Sequence, residues 1–93
     1  MIYFVYILAN QQNSVLRTGV TSDVEARVCD RREQLMPRFT EHYDDYKLVY
    51  YEAWADAQVA MSREQRIKAG TRKEQVALID GFNGQWRDLY EEI

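Results

Sequence analysis

The run Ile2-Tyr3-Phe4-Val5-Tyr6-Ile7-Leu8, followed after a polar break by Val15-Leu16-Arg17-Thr18-Gly19-Val20-Thr21, decides how this chain folds. The first run is apolar or aromatic throughout, the pattern of a central strand buried on both faces. Asn10-Gln11-Gln12-Asn13-Ser14 is a polar turn, longer than a two-residue one, so the two runs form a hairpin. Ser22-Asp23-Val24-Glu25 then reads as a capping box opening a helix. That helix runs to about Leu35 and stops before Pro37, because the residue preceding a proline avoids helical angles. Lys47 to Trp54, rich in Val and Tyr, is a third strand. Asp56 caps a helix ending at Gly70, which is expected in the left-handed position after it. Thr71-Arg72-Lys73-Glu74 is a second capping box, opening a short helix to about Asp80 with Gly81 as its stop. The expected fold is α/β of the α+β kind: a small three-stranded antiparallel sheet flanked by helices, in the order β-β-α-β-α-α.

A chain of 93 residues makes one domain, and its 46% hydrophobic and 13% aromatic content suits a packed core. No apolar run approaches the roughly 20 residues that cross a bilayer. The opening octapeptide lacks the basic region and cleavage site of a signal peptide. The single cysteine, Cys29, has no partner for an internal disulfide, so a cytoplasmic location is expected. The net charge of -3 hides a gradient. Residues 63–74 carry five basic side chains against Glu64 and Glu74, whereas residues 41–56 carry five acids against Lys47. A polyanion would meet local basic patches on an otherwise repelling surface, which favours weak or transient nucleic-acid binding.

Tyr6, Arg27 and Glu64 offer a phenol, a guanidinium and a carboxylate, a set suited to phosphodiester hydrolysis around one divalent cation. Their setting resembles the GIY-YIG nuclease superfamily, in particular its small stand-alone bacterial members and the N-terminal domain of the bacterial repair excinuclease. Tyr3-Phe4-Val5-Tyr6-Ile7-Leu8 looks like the first half-motif and Thr18-Gly19-Val20-Thr21 like the end of the second. Asp23-Val24-Glu25-Ala26-Arg27 is similar to the arginine helix. Phe39-Thr40, Leu48-Val49-Tyr50-Tyr51-Glu52, Arg63-Glu64-Gln65-Arg66-Ile67-Lys68, Asn83 and Trp86 also match small-member patterns. The resemblance implies a metal-dependent DNA endonuclease, acting on branched or damaged structures in a repair setting. It assigns catalysis to Tyr6, Arg27 and Glu64, with Glu64 holding Mg²⁺ or Mn²⁺. It also puts Arg17, Thr18, Gly19 and Arg31 on the nucleic acid.

Two positions depart from the pattern. Arg17 stands where the second half-motif has tyrosine, and Arg31 where a histidine or tyrosine follows the arginine by one helical turn. Arginine cannot accept a proton near neutral pH, so phosphate binding would persist while water activation falls to Tyr6 alone. The alternative reading is therefore a catalytically impaired member of the same fold, acting as a nucleic-acid-binding or protein-interaction module. Other residues carry blander expectations. Glu64 among Arg63, Arg66 and Lys68 reads by default as a surface ion-pair cluster. His42 with Tyr43, Asp44 and Asp45 reads as a solvated loop, and Cys29 as a packed thiol. Tyr50, Tyr51 and Trp54 on the third strand offer a stacking surface for bases or pack under a helix.

Overall fold

The apolar opening run becomes β1 (Tyr3–Asn10), the middle strand of a three-stranded antiparallel sheet ordered β2-β1-β3 in the computed structural model. The structure describes residues 2–22 and 46–89. β2 (Leu16–Ser22) and β3 (Tyr46–Trp54) flank β1, and α1 (Ala57–Ala69) and α2 (Arg72–Phe82) follow. Both neighbours pair with β1 across its length, so neither side of it is a free edge. Among the described residues no helix is long and apolar enough to cross a membrane. Ser22 ends β2, and the helix expected to follow it, to about Leu35, lies outside the described residues.

Alternation along β1 divides the core in two. Val5, Ile7 and Ala9 point to one face and pack with Ala60 and Ile67 of α1 and Ile79 of α2. Leu8 points to the other face, where it meets Leu48 and Leu89, with Tyr6, Tyr46 and Tyr51 around them. A register shift between Ile7 and Leu8 sets Ile7 opposite Tyr50 but Leu8 opposite Leu48. Val49 is the extra residue of this bulge, and it joins Tyr50 in the first core. Each fully buried aliphatic side chain of this kind contributes roughly 1.5–3 kcal/mol.

The hairpin turn is built on its first residue. The Asn10 side chain accepts from the Ser14 and Val15 amides at 2.7 and 3.1 Å, and Asn13 takes a positive φ of 59°, which asparagine tolerates. Arg72, at the start of α2, donates to the Asn13 and Ser14 carbonyls at 2.7 and 3.1 Å, tying the turn to the helix.

The expected starts of α1 and α2 are both present and α1 ends at Gly70 as expected, but the Gly70 backbone and the stop of α2 differ. Asp56 accepts from the amides of Gln58 and Val59, and the Thr71–Glu74 capping box is complete. Gly70 is extended (φ -76°, ψ 167°) rather than left-handed. Thr71 already begins the next cap, so the chain turns a corner there with no room for a left-handed turn. Glycine is still suited to the place, because a Cβ would lie 2.7 Å from the Glu74 carboxylate oxygen that closes the box. Gly81 does not stop α2, which continues to Phe82. The Phe82 ring meets Tyr50 and Tyr51 edge-on at centroid distances of 5.2 and 5.3 Å, and these contacts outweigh one poor helix former.

Asn83 then fastens the tail to the sheet. Its buried side chain donates to the Val49 carbonyl at the bulge (3.2 Å) and to the Arg87 carbonyl (2.8 Å), and accepts from the Arg87 amide (3.1 Å). The Leu48 amide donates to Asp88 and the Leu89 amide to the Leu48 carbonyl, so the tail covers the outer edge of β3. Asn83→Ala strands several of these groups in a buried place. The expected loss is about 2 kcal/mol, a fall in Tm of roughly 8–16 °C by thermal unfolding. An unchanged Tm would mean that the tail does not brace the bulge.

Candidate active site

Tyr6 and Gly19 are direct partners across the β1–β2 ladder. The Tyr6 ring does not stand upright on the sheet; it lies over the glycine. A Cβ on residue 19 would be 2.5 Å from the Tyr6 hydroxyl oxygen and 2.7 Å from Cζ, distances no real side chain tolerates. Any residue other than glycine would therefore push the phenol away. Gly19 is needed here for close approach, since its φ is not positive.

Glu64 comes from α1. Its helical spacing from Ala60 and Ile67 places it on the stripe that faces the sheet, and it is buried at 6% exposure. The default reading of a surface ion-pair cluster is corrected on this point. A buried carboxylate needs compensation, and Lys68 one turn along supplies it, with Nζ 2.6 Å from one oxygen. Gln65 donates to the other oxygen at 3.1 Å. Burial first, and the Glu64 charge second, push the Tyr6 phenol above its ordinary value of 10.0. The Glu64 charge thus reaches the phenol, although the two side chains belong to elements far apart in sequence. At neutral pH the phenol is protonated and serves as a hydrogen-bonding group; only its small deprotonated fraction can act as a base.

The remaining expected residues separate. Arg17 lies opposite Leu8 and Thr18 opposite Ile7, so Arg17 shares the sheet face of Tyr6 whereas Thr18 takes the opposite one. Arg17 is exposed, and the ion pair that Glu64 makes is with Lys68. Arg27, Arg31, Cys29 and the His42–Asp45 patch lie outside the described residues. No group of three or more His, Cys, Asp or Glu side chains gathers among the described residues. One carboxylate fits a Mg²⁺ or Mn²⁺ ion that keeps most of its waters, and does not fit an ion caged by protein ligands. An ion reaching Glu64 would have to displace the Lys68 ammonium, which is half-exposed and free to swing out.

A second polar cluster centres on Glu52, which the sequence placed in a strand and in a stretch resembling the family pattern, without a role of its own. Tyr50 donates its hydroxyl to Glu52, Trp54 its indole N–H at 2.9 Å, and Arg63 its Nε at 3.0 Å and a terminal nitrogen at 2.8 Å. Burial alone would raise the Glu52 carboxyl, but the hydrogen bonds from Arg63, Tyr50 and Trp54 outweigh it and hold the group below 4.5. The i, i+2, i+4 spacing of Tyr50, Glu52 and Trp54 was the available signal for a shared face; the Arg63 contact from the next helix had none.

The GIY-YIG catalytic domain family model matches residues 2–77, a span holding the whole sheet, all of α1 and the first turns of α2. A UPF0213 protein of Clostridium perfringens is 36% identical over 90 residues, covering 97% of this chain and 96% of its own length. A UPF0213 protein of Staphylococcus haemolyticus is 33% identical over 78 residues, covering 84% of this chain and 94% of its own. The solution NMR structure of a UPF0213 protein of Bacillus halodurans aligns with a TM-score of 0.64 and 26% identity, over 95% of this chain and 93% of that one. The phenol laid over its glycine and the extent of these matches lead to one conclusion: this chain belongs to the GIY-YIG catalytic domain family.

Proposed function

We propose that the protein is a divalent-metal-dependent DNA endonuclease in which Tyr6, Arg27 and Glu64 carry the chemistry. The observation that carries this reading is the Tyr6 phenol, seated in the space left by Gly19, in a fold that also buries the Glu64 carboxylate. Glu64 would hold Mg²⁺ or Mn²⁺, and the bound ion would act as a Lewis acid that stabilises the developing alkoxide. Tyr6 orients the attacking water through its hydroxyl, and its depth in the fold fixes that orientation. Arg27 binds the non-bridging phosphoryl oxygens through its planar, permanently charged fork. Arg17 and Arg31 hold the neighbouring phosphates, with Gly19 contributing on the same face of the sheet as Arg17, whereas Thr18, on the opposite face, takes no part. The weak global charge suits brief engagement of branched or damaged DNA rather than tight non-specific binding.

A second reading is supported by a specific observation. Lys68 occupies Glu64, and an arginine replaces the second tyrosine, so the fold also suits a nucleic-acid-binding module with little turnover. Supercoiled plasmid incubated with Mg²⁺ or Mn²⁺ separates the two. We expect nicking by the unmodified protein and a loss of about a hundredfold or more in Glu64→Gln and in Tyr6→Phe. DNA binding without any nicking by the unmodified protein would favour the second reading.

Gly19→Ala adds only a methyl group, yet it displaces the phenol. We expect a nicking rate close to that of Tyr6→Phe, with a stability loss of about 1–3 kcal/mol. Full activity in Gly19→Ala would show that the ring position is irrelevant to catalysis.

The raised value of the phenol sets the pH dependence. A step that draws on Tyr6 as a base gains as pH approaches a value above 10.0, so the nicking rate should climb between about pH 7 and about pH 9 without levelling. The climb should disappear in Tyr6→Phe. A plateau near neutral pH in the unmodified protein would assign the base to another group.

A further inference from the structure

The end of β3 and the exposed flank of α1 enclose a groove that the proposed chemistry leaves unused. It is lined by Trp54, Gln58, Val59, Ser62, Arg63 and Arg66 and holds about 590 Å³, within the roughly 300–1,000 Å³ in which proteins seat small groups. Two of its walls are held rigidly by Glu52. That carboxylate accepts from the Trp54 indole on one side and from the Arg63 guanidinium on the other, and Tyr50 holds it from beneath. A fixed indole next to a fixed guanidinium plane is a stacking surface whose side-chain entropy is already spent before any ligand arrives.

The charge of the groove is also uneven. Glu52 neutralises Arg63, with side chains only 13% and 28% exposed. Arg66, one turn further along α1, forms no ion pair among the described residues and is exposed. The groove therefore offers one exposed guanidinium beside an aromatic ledge and the exposed Val59 side chain. An indole with an apolar neighbour, set next to a single solvated cation, is the complement of a base joined to a phosphate. Gln58 and Ser62 add few hydrogen-bonding groups, so the groove would hold a base by stacking and not read its identity.

We propose that this groove seats one nucleotide of a single-stranded segment flanking the cut, with its base against Trp54 and Val59 and its phosphate on Arg66. The inference rests on the reading of the chain as a protein that acts on nucleic acid. Arg63 and Arg66 bracket Glu64 along α1, so a strand lying in the groove follows the helix that carries the proposed metal carboxylate. The groove would thereby supply affinity for unpaired DNA that the acidic net charge does not.

The test is fluorescence anisotropy of a labelled oligothymidylate in EDTA, which prevents cutting, over a range of salt concentrations. Arg66→Ala should weaken binding about three- to tenfold at low salt and lower the salt slope by about 0.7, the loss of one single-strand phosphate contact. Trp54→Leu should weaken binding about fivefold or more with the slope unchanged, provided circular dichroism shows the fold intact. Lys73→Ala, an equal loss of charge on the exposed face of α2, should leave both quantities near those of the unmodified protein. If Arg66→Ala binds with unchanged affinity and slope, or if Lys73→Ala matches it, the groove is not a nucleotide site, and the nuclease reading survives through plasmid nicking. If the unmodified protein binds no oligothymidylate even at low salt, the groove proposal falls; if it also fails to nick plasmid, the nuclease reading falls with it.

Discussion

The close approach of one aromatic ring to one backbone position organises this molecule. Tyr6 and Gly19 face each other across the ladder, and the phenol occupies the volume a side chain at 19 would need. That arrangement holds only if the β1–β2 register is correct, since a slip of one residue would turn Tyr6 to the opposite face. The register is held in turn by the Asn10-based turn at one end of the hairpin and by the burial of Val5, Ile7 and Ala9 under the helices. The same alternation that sends these three residues into one core leaves Tyr6 on the other face, beside Leu8. Fold and site are thus two consequences of one strand pairing.

Electrostatics adds a second constraint. A carboxylate buried on the sheet-facing stripe of α1 costs stability unless it is paired, and Lys68 pairs it. A buried glutamate held by a lysine that can leave is compatible with the proposed exchange of an ammonium for a hydrated divalent ion. The half-exposed lysine gives that exchange a route, because a long, solvated side chain can leave without disturbing the core. Glu52 shows the contrasting case. Its three donors leave it no capacity for an ion, and its role is to hold Trp54 and Arg63 still.

Much of this was legible in the residues themselves. The central position of β1 followed from a run with no polar side, and the helix starts at Asp56 and Thr71 followed from side chains that satisfy free amides. The end of α1 at Gly70 was legible too, but not the backbone Gly70 adopts, nor the end of α2, because glycine only permits a stop. At Gly70 the next cap sets the backbone, and at Gly81 the Phe82 ring contacts carry the helix on. The bulge at Val49 was hidden inside an ordinary Val-Tyr-Tyr strand pattern and is visible only from its pairing and from Asn83. Glu64 looked like a surface residue because its sequence neighbours are basic. Helix geometry turns Arg63 towards Glu52 and Glu64 inward, a distinction that composition does not carry. The Tyr6–Gly19 contact was not legible, since the two residues stood in separate half-motifs and only the folded chain shows the phenol in the place of a Cβ at residue 19.

The central proposal is that Tyr6, Gly19 and Glu64 border one ion site. Paramagnetic broadening by Mn²⁺ in a two-dimensional NMR spectrum of the isotope-labelled protein tests it most directly. Signals of Tyr6, Gly19 and Glu64 should broaden together at low Mn²⁺, and the effect should vanish in Glu64→Gln. Broadening centred elsewhere, or unaltered by that substitution, would contradict the account.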